Sequence, residues 1–187
     1  MATRSFHVFL TNATPYNLKH TGGNLDEGVW TNDQPYPDAI SAGTVGDWES
    51  ESGGEIPVIG SIGQGTQGWA EYTIQGEAGD IVHIDWDNPF IGDSTAGGRV
   101  VAEFSGQPSK QWGLFATYHW SDGSPMEVIG TNNSVFNWSS HSEAEVYVTL
   151  TSRTDIKVFL HAFGFDFRRG LRALRPGPFS LRSLTGA

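Results

Sequence analysis

The densest run of chemistry-bearing side chains is Ile84-Asp85-Trp86-Asp87-Asn88-Pro89-Phe90-Ile91-Gly92-Asp93-Ser94-Thr95. If this run opens as a strand, Asp85 and Asp87 share one face, about 7 Å apart by strand rise. Two carboxylates at that spacing could serve as acid and base on a glycosidic bond, a minor hydrolase expectation. A carboxylate beside an exposed ring could instead hold an ammonium group by charge and cation–π attraction. The plainer use is structural: Asp and Asn at a strand end bond backbone N–H groups and fix a turn. His7, His20, His83, His119, His141 and His161 show no HxH or HxxxH spacing. No metal site or cofactor is therefore expected. The chain also lacks GxSxG, P-loop and GxGxxG signatures. The expectation is a protein that binds rather than catalyses.

Seven tryptophans are the second feature: Trp30, Trp48, Trp69, Trp86, Trp112, Trp120 and Trp138. Trp86 shares a face with Val82 and Ile84, a core pattern. Trp69 shares a face with Glu71 and Thr73, a surface pattern. Trp30, Trp48 and Trp112 lie near loops. Aromatic rings at the loop ends of a sandwich suit membrane interfaces, and they suit sugar rings equally well.

Charge narrows the targets. Of 11 Lys and Arg residues, five (Arg168, Arg169, Arg172, Arg175 and Arg182) fall in the last 20 residues, which contain no acid. Residues 1–167 carry the other six and all 21 acids, net −15. Such a body repels phosphate backbones, so no nucleic-acid partner is expected. It also repels strongly anionic lipid surfaces, whereas zwitterionic or neutral targets impose no such repulsion. There is no cysteine, so disulfides, thiolate metal sites and cysteine nucleophiles are excluded. No stretch approaches the roughly 18 apolar residues of a membrane-spanning helix. Residues 1–6 run into an alternating pattern without the apolar core of a signal peptide. Cytoplasmic synthesis is expected, with any release and membrane association by another route. The sequons at Asn12, Asn132 and Asn137 are then expected to go unused.

The elements that must position these groups are strands. Period-2 alternation recurs in short segments separated by Gly, Pro, Asn and Asp, among them Trp69–Ile74, Ile81–Trp86, Arg99–Phe104, Glu143–Leu150 and Ile156–Phe163. This predicts an all-β fold: a single antiparallel β-sandwich of about ten strands over residues 1–166. Residues 167–187 read as a short basic C-terminal tail.

Several pieces resemble the aegerolysin family of small acidic β-sandwich proteins. They are Val8–Asn12, Gly28-Val29-Trp30, Gly65-Thr66-Gln67-Gly68-Trp69-Ala70-Glu71-Tyr72 and the Trp86–Gly92 turn. The likeness covers roughly residues 5–150. It departs at Asn88, where the family has Cys, at Phe90, where it has Trp, and at the extra Ile91. The resemblance implies a lipid-binding protein of sphingolipid-type membranes, cytolytic in some members, with a larger pore-forming partner. The related actinoporin-like sandwiches imply docking of loop aromatics on a choline-type head group. Carried over residue by residue, the lipid-binding positions are Trp30, Trp69, Trp86, Asp87, Pro89 and Phe90. The expected partner is thus a sphingolipid or zwitterionic lipid, with a homo-oligomer as a further expectation. A lectin-type module that stacks sugars on tryptophan is the alternative.

Overall fold

A computed structural model describes residues 4–33, 35–53, 65–76, 79–89, 94–120, 125–128, 134–138 and 143–156. The described residues lie almost wholly in one compact unit, residues 1–153. The expected strand over Ile156–Phe163 and the basic tail fall outside the described residues, apart from Ile156 itself.

Twelve strands are present among them. They are β1 (Ser5–Asn12), β2 (Leu18–Glu27), β3 (Val29–Trp30), β4 (Ala39–Ile40), β5 (Val45–Glu51) and β6 (Thr66–Ile74). The chain continues through β7 (Ile81–Asn88), β8 (Ser94–Val101), β9 (Trp112–Trp120), β10 (Pro125–Val128), β11 (Ser134–Trp138) and β12 (Glu143–Ser152). They form two six-stranded sheets, ordered β10-β9-β12-β1-β5-β3 and β11-β8-β7-β6-β2-β4. The protein is an all-β sandwich. Strand pairing is antiparallel except for β1 and β12, which run parallel from Ser5/Glu143 to Asn12/Leu150.

Alternation builds the core. β1 and β7 each bury every second residue, which sets Phe6, Val8 and Leu10 against Val82, Ile84 and Trp86 in one apolar cluster. Trp48, Tyr72 and Trp86 are its largest fully buried side chains. The Trp48 ring sits 6.2 Å from Tyr72 and 6.0 Å from Trp86 at tilted angles, spacings typical of packed aromatics.

Buried polar groups tie the two sheets together, since each must find a partner away from water. The Trp86 indole N–H donates to the Ser50 hydroxyl at 3.0 Å, and the Thr66 hydroxyl donates to the same oxygen at 2.6 Å. The Asn88 amide donates to the Ser5 carbonyl at 2.9 Å and accepts from the Ser94 hydroxyl at 2.8 Å. Asn88 is thus a fully buried staple between β7 and β1. Asn12 plays the same part at the other end. Its amide donates to the Ile40 carbonyl of β4 at 3.2 Å and to the Tyr16 carbonyl at 2.8 Å, and its side-chain oxygen accepts from the Thr14 hydroxyl at 2.7 Å. Asn12 is fully buried, so this sequon is closed to modification in the folded protein.

The strand read over Arg99–Phe104 lies earlier in the chain, at Ser94–Val101. β8 ends at Val101, not at Phe104. The Ala102 carbonyl accepts from the Ser105 and Gly106 N–H groups, and Gly106 adopts φ +61°. This turn leaves Phe104 91% exposed.

Candidate functional site

The outer face of the second sheet is a grid of side chains fixed by strand register. One row runs Gln67, Asp87, Thr95 across β6, β7 and β8; the next runs Asn24, Trp69, Asp85, Gly97 across β2, β6, β7 and β8. A third runs Gly22, Glu71, His83, Arg99. Gln67, Asp87 and Thr95 of the first row and Trp69 and Asp85 of the second, with Glu71, His83 and Asp26, border a groove of about 440 Å3.

Trp69 is its aromatic element. The indole stacks on the His83 ring at 5.8 Å and 16°. It also leans over Gly22, where a Cβ would stand only 3.3 Å from the ring. A side chain at position 22 would press on the indole. Half-buried, Trp69 keeps part of its ring on the solvent side of the sheet.

Carboxylates surround it. The His83 Nδ1 lies 2.9 Å from Glu71 Oε1, and its Nε2 lies 3.4 Å from Asp85 Oδ1. A neutral imidazole donates from one nitrogen, whereas the charged ring donates from both. The Asn24 amide donates to Asp26, so Asp26 is held at the edge of β2. Burial, reinforced by Glu27, pushes the Asp87 carboxyl above its ordinary value. Asp87 is therefore partly desolvated at the groove. Asp85 and Asp87 both project onto this face, as their spacing predicts. Among the described residues, no group of three or more His, Asp or Glu side chains is arranged to hold a metal ion.

The six positions singled out in the sequence do not converge. Trp69 and Asp87 meet at the groove. Trp86 adjoins it from beneath but is only 1% exposed; its neighbours in the alternation, Ile84 and Asn88, face the core and carry it inward. Trp30 is half-buried between the sheets, edge-on to Tyr36 at 5.2 Å and 6.2 Å from Trp86. Pro89 follows β7 and does not border the groove. Phe90 lies outside the described residues. Trp48 and Trp112, expected near loops, are 1% and 5% exposed. The tryptophans described in full are thus mostly core, and the surface one stands on a sheet face, not on a loop rim.

Sequence reasoning missed Gln67, His83, Asp26 and Thr95. The first two were accessible, because they are the outward i±2 neighbours of Trp69 and Asp85. Asp26 and Thr95 depend on cross-strand register, which no local pattern reveals.

These features define a class: an all-β sandwich with an acidic, tryptophan-bearing groove on one sheet. No protein-family model and no curated protein matches the sequence. The fold is similar to the crystal structure of a lipid-binding protein, Nakanori, with a TM-score of 0.53 at 12% identity. The match covers 79% of this chain and 71% of that one. At this identity the likeness establishes the sandwich fold and not the aegerolysin family.

Proposed function

We propose that this protein binds membrane lipids, with the head group lodged in the Trp69 groove. The observation that carries the reading is the half-buried indole on His83 and over Gly22, ringed by carboxylates in a recess large enough for a small molecule. A solved lipid-binding protein of the same fold supports it. The acidic lining excludes anionic head groups by like-charge repulsion and admits net-neutral ones, the sphingolipid-type and zwitterionic classes. Membership of the aegerolysin-like group belongs to this proposal and rests on the Gly65–Tyr72 and Trp86–Gly92 resemblances. The test is co-sedimentation with vesicles of phosphatidylcholine, sphingomyelin, glycosylceramide or phosphatidylserine. Binding to at least one net-neutral vesicle and not to the anionic one is expected. Sedimentation with none, or only with phosphatidylserine, would overturn the reading.

A further inference from the structure

The lining of the groove narrows the head group further, on the premise that the lipid-binding reading holds. Four lining side chains are carboxylates: Asp26, Glu71, Asp85 and Asp87. Among the described residues no lysine or arginine lines the recess. Its one basic ring, His83, already faces Glu71 and Asp85. Arg99 lies across from His83 on β8, exposed and outside the lining.

A phospho-base head group carries its phosphate one short linker from its ammonium. With the ammonium against Trp69, that phosphate would lie among the four carboxylates, close enough for like charges to repel it. An ionised carboxylate accepts hydrogen bonds and donates none. The fitting ligand is therefore rich in donors and free of negative charge. Gln67 and Thr95 add groups that both donate and accept. The acids alone would be a solvated surface; the indole gives the ligand something to lie on. The negative face of an indole attracts the positive C–H groups of an apposed ring. A sugar ring supplies both a C–H face and a rim of hydroxyl donors, with no charge to repel.

We infer that the groove takes an uncharged hexose carried on a lipid. The sugar lies on Trp69, and its hydroxyls donate to Asp85 and Asp87.

The test uses the full chain. Vesicles of phosphatidylcholine carrying glucosylceramide or galactosylceramide are compared with matched vesicles carrying sphingomyelin or ceramide. Methyl glucoside and methyl galactoside are titrated separately by calorimetry. Binding about tenfold tighter to one glycosylceramide than to sphingomyelin is expected, an amount that one well-seated ring supplies. Trp69→Ala and Asp85→Asn should each abolish that preference in a protein that still unfolds cooperatively, and Trp69→Phe should restore part of it. Equal or tighter binding to sphingomyelin overturns the sugar inference and leaves lipid binding standing. Binding of a methyl glycoside without sedimentation on any vesicle overturns lipid binding and leaves the sugar site. A preference that survives Trp69→Ala overturns the assignment to this groove.

Discussion

Trp69 and Trp86 stand one residue out of step on neighbouring strands of the same sheet: Gly68 pairs with Trp86, and Trp69 with Asp85. Trp86 points inward, its N–H bonded to Ser50 and its ring among Trp30 and Trp48. Trp69 points outward onto a histidine ringed by carboxylates. Each has a glycine beside it. Gly68 lies under the Trp86 ring, where a Cβ would come within 2.6 Å of the ring and 2.7 Å of the Asn24 carbonyl. Gly22 lies under Trp69 at the looser 3.3 Å. The same residue pair therefore serves cohesion on one face and recognition on the other. What decides between them is the strand's two-residue period.

The comparison breaks most sharply at the larger of the two buried losses. Trp86→Ala should cost about 3–5 kcal/mol, because it opens a cavity and removes the donor to a buried hydroxyl. Urea unfolding measures it, and a loss below about 1 kcal/mol would mean that the inner face does not depend on this ring. Gly68→Ala comes next. The added methyl meets backbone as well as ring, so about 1–3 kcal/mol is expected. Gly22→Ala should stay within about 0.5 kcal/mol, because the indole edge can shift toward solvent. Equal losses at the two glycines would erase the distinction between the faces.

The inner and outer faces were legible to different degrees. Strands such as β1 and β7 announce themselves through Phe6-x-Val8-x-Leu10 and Val82-x-Ile84-x-Trp86. Trp48 was readable too, but from its opposite face: Asp47, Glu49 and Glu51 alternate outward, which leaves Gly46, Trp48 and Ser50 inside. The small partners Gly46 and Ser50 hide that face because they look polar or neutral; in the fold they make room for the indole. Trp112 was likewise betrayed by Leu114 and Ala116 at i+2 and i+4. The groove was legible only one strand at a time. Gln67, Trp69 and Glu71 read as one outward row, as do His83, Asp85 and Asp87. That these rows lie side by side follows from the β6–β7 hairpin, but Asp26 and Thr95 arrive through β2 and β8. The parallel pairing of β1 with β12 was invisible for the same reason: more than 130 residues separate Ser5 from Glu143, and no local pattern encodes such a contact.

Smaller effects belong to the outer face. Trp69→Ala should lower stability by about 1 kcal/mol or less, since a half-buried ring on a sheet face leaves no sealed cavity. Thermal unfolding beside Trp86→Ala reads the contrast directly. A loss matching that of Trp86→Ala would make Trp69 a packing residue and remove the groove's claim to be a site.

Asp87 gives the finest discrimination. Burial and Glu27 hold its carboxyl above the ordinary 3.8, so the folded protein grips that proton more tightly than the unfolded chain. The stabilisation is complete below about pH 3.8 and is lost as pH rises through the higher folded value. Asp87→Asn cannot ionise and suffers no such loss. The melting temperature of Asp87→Asn relative to the parent should therefore climb from about pH 3.8 upward, then level once Asp87 is ionised in both states. On the buried side of the same strand, Asn88→Ala removes the staple to Ser5 without changing any charge. Its deficit should stay constant across that window. A flat difference for Asp87→Asn as well would mean that Asp87 is as well hydrated as an ordinary surface acid. The recess would then be too open to strip water from a ligand, and the outer face would be a charged exterior surface and nothing more.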